Sequence, residues 1–145
     1  MADVYTKSKR SEIMSRVRNN RTSPEEAVAE LLRELGVKYR RNDRSLPGQP
    51  DFSVRSHRTA IFVNGCFWHG HANCARAKLP QTNVVFWVNK IETNKRRDRR
   101  VRRQLRQRGW RTITIWQCRL RNPDRVFGRL AKSLYSPNER RRPLR

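Results

Sequence analysis

Apolar residues recur at helical spacing over Ala27, Val28, Leu31, Leu32 and Leu35, just after the polar start Ser23-Pro24-Glu25-Glu26. Ser23 suits the cap, Pro24 the first turn and Glu26 the return half of a capping box, and Gly36 ends the helix. Residues 37–40 read as a strand. Leu46-Pro47-Gly48-Gln49-Pro50 reads as a turn, with a strand leaving it over 51–54. Residues 59–63 form the strongest strand, apolar enough to be central. Residues 83–108 form a long basic helix with a broken apolar stripe at Val84, Val88, Ile91, Val101 and Leu105, stopped by Gly109. A third strong strand covers 112–116, and a last helix from Pro123 to Leu134 turns Val126, Phe127, Leu130 and Leu134 inward. Residues 5–20, with Ile13, Met14 and Val17 as sparse apolar points, read as a short basic helix or arm. The pattern predicts an α/β domain, a single mixed sheet flanked by helices, over 21–135. Residues 1–20 form the arm, and 136–145 a flexible basic tail.

A chain of 145 residues is one domain's worth, long enough to bury a core without disulfides. Charge changes the picture most. Thirty-five Lys and Arg face 12 Asp and Glu, for a net charge of +23. Self-repulsion on that scale points to a polyanionic partner, and Arg forks fit phosphates and guanine edges. No apolar run approaches the ~20 residues a bilayer needs, and the first residues are polar. Three cysteines make an odd count, against a disulfide framework, so a cytoplasmic chain with reduced thiols is expected.

Those cysteines belong to the first of four constellations. Cys66, His71, Cys74 and Cys118 are the four soft donors of a tetrahedral structural zinc site, or three buried thiols and an unrelated His. The irregular loop 65–80 favours a metal to hold it. The second is acidic: Asp51, Glu25 and Asp98 stand among cations. Phosphodiester hydrolysis needs oxygen ligands for a hard cation; singly, Asp98 equally suits helical ion pairs and Glu25 a helix start. Third, His69 is either an imidazole that takes a proton from water, a zinc ligand in place of His71, or an exposed loop residue. Fourth, Phe67, Trp68, Phe86 and Trp87 are either core or wedges into a base stack, with Phe86 expected in the core.

The strings Ser45-Leu46-Pro47-Gly48-Gln49-Pro50-Asp51-Phe52, Ile61-Phe62-Val63-Asn64-Gly65-Cys66-Phe67-Trp68-His69, Phe86-Trp87-Val88-Asn89-Lys90-Ile91, Arg97-Asp98-Arg99-Arg100 and Trp116-Gln117-Cys118 resemble the very short patch repair (Vsr) endonucleases, over about residues 10–134. The resemblance implies a restriction-endonuclease-like fold of the PD-(D/E)xK class and a magnesium-dependent nick 5′ to the thymine of a T:G mismatch left by deamination of 5-methylcytosine. It implies magnesium on Asp51 and the Val63 carbonyl, with Glu25 reaching it through water. His69 is then the general base oriented by Asp98, and zinc sits on Cys66, His71, Cys74 and Cys118. Phe67, Trp68 and Trp87 match intercalating aromatics. Asn64 stands where a relative has a histidine, Val63 where it has a threonine, and the loop before Cys74 is one residue longer. A monomer is expected, acting on mismatched duplex near the nucleoid, with mismatch-repair proteins as candidate partners. Two rivals are a restriction or homing-type endonuclease of the same fold and a zinc-stabilised DNA-binding module without activity. Acids set in a basic surface argue against the second rival.

Overall fold

A computed structural model describes residues 23–135; the arm and tail expected at either end lie outside them. Helix α1 (Pro24–Leu35) starts as its sequence demands: the Ser23 hydroxyl accepts from the Glu26 amide at 3.2 Å. The Glu26 carboxylate departs from the expected capping box. It meets Arg41 at 2.7 Å, a full positive charge in place of a backbone amide. Four strands follow in the order β1 (Arg40–Arg41), β2 (Phe52–Val54), β3 (Thr59–Asn64) and β4 (Arg111–Trp116), and this is also their order across the sheet. β1 with β2 and β2 with β3 are antiparallel, while β3 with β4 is parallel, Thr59 opposite Arg111 and Asn64 opposite Trp116. A parallel pair needs a long crossover, supplied by α2 (Val84–Gln107); α3 (Pro123–Tyr135) closes the domain. The sheet is therefore mixed and flanked by helices, as the hydrophobic pattern predicts. The first strand is shorter than expected, since Val37 and Tyr39 pack on the core outside the ladder.

Alternation along β3 sorts its side chains to opposite faces. Ile61 and Val63 pack with Phe52, Val54, Ile113 and Ile115 under α1 and α3, against Leu31, Leu32, Leu130 and Leu134. Ala60 and Phe62 face α2 instead, in a small cluster with Leu46, Leu105, Val101 and Trp110. Near the sheet's edge Asp43 is buried, and its carboxylate accepts from the hydroxyls of Ser45 and Ser53, each at 2.6 Å, and from Arg55 at 3.1 Å.

Helix α2 does not bury all of its apolar stripe. Ile91 and Leu105 are buried, but Val84 and Val88 are exposed, and so is Phe86 at 58%, against its expected place in the core. The cause is length. Twenty-four helical residues span about 36 Å, whereas a six-residue strand spans about 20 Å. The first turns of α2 therefore overhang the sheet, and among the described residues no apolar surface covers Val84, Val85, Phe86 and Val88.

Candidate active site and metal centre

The overhanging helix, the end of β3 and the turn before β2 enclose a cleft of about 650 Å³. Asp51, Glu25, His69 and Asp98 all line it, with Gln49, Val63, Asn64, Arg97 and Arg102. These four acid and imidazole residues come from four separate stretches of chain. Asp51 enters from the 46–50 turn, and its Oδ2 accepts from the Val63 amide at 2.7 Å. In an antiparallel ladder, hydrogen-bonded residues exchange both bonds, so a strand residue turns its N–H and C=O toward the same neighbour. The Val63 carbonyl therefore faces the same side as Asp51. Burial pushes the Asp51 carboxyl above the ordinary range, against the opposing pull of the Val63 amide and the nearby His69 and Arg41 charges.

His69 donates from Nδ1 to Asp98 Oδ2 at 2.7 Å. In the neutral ring this bond puts the proton on Nδ1 and leaves the lone pair on Nε2. Two further contacts fix this loop. Asn94, one helical turn before Asp98, donates to the Trp68 carbonyl at 2.9 Å, and Arg97 donates to the Asn94 side-chain oxygen at 3.3 Å. The sequence reading gave Asn94 no role. The available signal was its i, i+4 relation to Asp98, which puts both on one face of α2. Arg97 and Arg102, to which the sequence assigned no catalytic role, line the cleft beside Asp98. Asn64 is 6% exposed and also lines it.

The loop that carries His69 is gathered at its other side by Cys66, His71, Cys74 and Cys118, whose candidate ligand atoms all lie within 4.8 Å of one another. A tetrahedral ion with bonds near 2.3 Å sets donors about 3.8 Å apart, so this set fits a single metal ion. Cys118 approaches His71 Nδ1 at 3.5 Å, and its amide donates to Cys66 Sγ at 3.4 Å. The His71 ring stacks on Trp116, 4.1 Å between centroids. Burial, with the neighbouring thiols, pushes Cys66 up to about 11. A cation here would stabilise the thiolates that burial otherwise disfavours, so the donor set suits a metal. Cys118 arrives from the start of a 3₁₀ turn after β4, far away in sequence. His69 is not in the cluster; its Nδ1 is on Asp98.

Beside the cleft, Phe67, Trp68 and Trp87 pack edge to face, with centroids 5.3 to 5.7 Å apart. Phe86 leans on Trp87 at 5.0 Å. Trp68 is 49% exposed. The cluster is thus a surface feature and not part of either core.

A half-buried carboxylate, an imidazole oriented by a second carboxylate and a strongly cationic helix in one cleft define the class as a phosphodiester-cleaving nuclease. A family model described as DNA mismatch endonuclease Vsr matches residues 2–76. The chain is 43% identical to the DNA mismatch endonuclease Vsr of Escherichia coli (strain K12) over 126 residues, 87% of this chain and 80% of that protein. It is 40% identical to the type II nicking enzyme V.XorIIP of Xanthomonas oryzae pv. oryzae over 92% of this chain and 98% of that one. It is 38% identical to the nicking enzyme V.NmeAIP of Neisseria meningitidis over 84% and 86%. The chain belongs to the Vsr family of DNA mismatch endonucleases. Among the described residues no helix is long and apolar enough to cross a membrane.

Proposed function

We propose that this chain nicks one strand of duplex DNA on the 5′ side of the thymine in a T:G mismatch, on a restriction-endonuclease-like fold, as a monomer in the bacterial cytoplasm. The carrying observation is the single cleft that gathers Asp51, His69 and Asp98 beside the exposed aromatics. Asp51 and the Val63 carbonyl would hold Mg²⁺, with Glu25 acting through water. The residues fit: hard oxygen donors meet at a half-buried carboxylate whose ionised form desolvation disfavours, so a cation there would be stabilising. When bound, that ion polarises the scissile phosphate and acidifies water. His69 Nε2 takes the proton of the attacking water, and Asp98 keeps the ring in the tautomer that can accept it. Arg97 and Arg102 draw the phosphate backbone into the cleft. Zn²⁺ on Cys66, His71, Cys74 and Cys118 would pin the loop bearing His69, a structural role suited to a closed four-donor set.

Phe67, Trp68 and Trp87 would wedge the base stack open. Unstacking costs on the order of a few kcal/mol per step, and least at a mismatch, so the wedge itself favours T:G. The second reading, a nicking enzyme for an undamaged target, draws support from relatives named as type II nicking enzymes. Exposed aromatics weigh against it, since a reader of intact duplex has little use for wedges. The test is nicking of one end-labelled duplex carrying T:G against the same duplex carrying C:G, with Mg²⁺ and then EDTA. T:G-specific, Mg²⁺-dependent nicking is expected. Equal cutting of both duplexes would favour the second reading, and no cutting of either would sink both.

A further inference from the structure

Two close contacts locate α2 on the rest of the site, and each is made where a glycine lacks a side chain. At Gly48, three residues before Asp51, a Cβ would lie 2.4 Å from Val101 Cγ1, 3.0 Å from Cγ2 and 3.3 Å from Cβ. At Gly70, one residue after His69, a Cβ would lie 2.7 Å from both Ile91 Cγ2 and Lys95 Cε. Both glycines have positive φ, 76° and 60°, so neither position suits another residue. The contacts bracket Asp98: Lys95 precedes it by three residues and Val101 follows it by three. Val101 is β-branched and in a helix has essentially one χ1 rotamer, so it cannot swing aside as a flexible side chain would. Gly48 and Val101 both line the cleft with Asp51 and Asp98.

We infer that Gly48 and Val101 are positioning residues: their contact fixes the gap between Asp51 and the Asp98–His69 pair, and so aligns the metal-binding carboxylate with the base. The inference rests on the function proposed above. A side chain at Gly48 must push α2 outward by about 1 Å to reach ordinary contact from 2.4 Å. Displacements of that size cost roughly 10²-fold in rate when they misalign reacting groups. Gly70 makes the second seat, but it adjoins His71, so Gly48 gives the cleaner test.

The experiment compares single-turnover nicking of T:G duplex at saturating Mg²⁺ with the Kd for the same duplex in EDTA. Gly48→Ala is expected to lose roughly 10²-fold in rate with Kd unchanged. Gly48→Ala combined with Val101→Ala removes both Cγ atoms and should recover most of that rate. Its melting temperature should stay below wild type, because Ala at positive φ keeps its strain; recovery without restored stability separates alignment from mere folding. Val101→Ala alone keeps a helix-favouring residue and should slow nicking about 10-fold by loosening the seat, within the range of misalignment effects. Crystal structures read the gap without activity, with α2 displaced in the single variant and returned in the double. Wild type that fails to nick T:G overturns the proposed function, while the crystal comparison still tests the seat. An unmoved α2, an unslowed Gly48→Ala or Val101→Ala, or a double variant as slow as Gly48→Ala overturns the inference.

Discussion

On one face of the sheet, α1 and α3 close over Phe52, Val54, Ile61, Ile113 and Ile115 and remove nearly all of that surface from water. On the other face, α2 packs Leu105 against Leu46 and Ala60 in a small buried cluster, and it lifts its first turns clear of the sheet. Asp51, His69 and Asp98 line a cleft beside that thinly covered side, where α2 brings Asp98 among many Arg side chains. Apolar burial is the main stabilising term at about 25 cal/mol per Å². The thick face can therefore hold the fold while the thin face tolerates a partly desolvated carboxylate, exposed aromatics and mutual cation repulsion.

The sharpest way to break this contrast is Asp51→Asn. We expect no detectable nicking, yet a small gain in stability without divalent cation at neutral pH. The sign follows from the raised folded pKa of Asp51. Its favourable contribution is present below the unfolded carboxylate value and is lost as pH rises through the raised folded value, so at pH 7 the ionised group is a cost that Asn removes. Urea unfolding with and without Mg²⁺ measures this; a destabilised Asp51→Asn would show that Asp51 supports the fold.

Leu31→Ala tests the thick face. Leu31 is fully buried, and such truncations cost roughly 3 kcal/mol. The enzyme that remains folded should nick at the wild-type rate per folded molecule, as active-site titration beside unfolding would record. His69→Ala should do the reverse on the thin face. A rate loss of roughly 10²-fold, about 2.7 kcal/mol of barrier, is expected from removing a positioned base, with melting temperature and metal content intact. If His69→Ala loses its metal, then His69 belongs to the Cys/His site and the base assignment fails.

The smallest expected effect concerns Asp43, at the seam between faces. Burial would raise its carboxyl, but the Ser45 and Ser53 hydroxyls, the Ser45 amide and the Arg55 charge outweigh it and hold Asp43 at about 2. A depressed value contributes stability above the unfolded carboxylate value that is lost as pH falls through the folded one. Asp43→Asn should therefore cost about 2 kcal/mol at pH 7, and the difference from wild type should vanish between about pH 4 and pH 2. A constant difference across that window would mean that the loss is packing and not charge.

Much of the fold was legible because it is written locally. Period-2 and period-3.6 patterns placed β3, β4, α1, α2 and α3 to within a residue or two of their observed ends. Phe86 was misplaced because its apolar character says nothing about whether a sheet lies beneath it. Residues 37–40 carried a strand's composition, but pairing depends on a neighbour, and the ladder holds only Arg40 and Arg41. The choice between His69 and His71 as the fourth donor stayed open, since both sit in one short loop.

By itself, then, the sequence determined the elements, their buried stripes, the cationic surface and the inventory of acids, thiols and aromatics. These follow from side-chain chemistry and spacing within one element. Only the tertiary structure decided which of those groups meet: Asp51 with the Val63 amide, His69 with Asp98, and Cys118 with a loop some 50 residues earlier. It also decided that Asn94 grips the Trp68 carbonyl and that Gly48 gives Val101 its seat. Such meetings depend on how far a helix overhangs a sheet and how closely two backbones approach. Those distances are set by packing across the whole domain, and no window of neighbouring residues contains them.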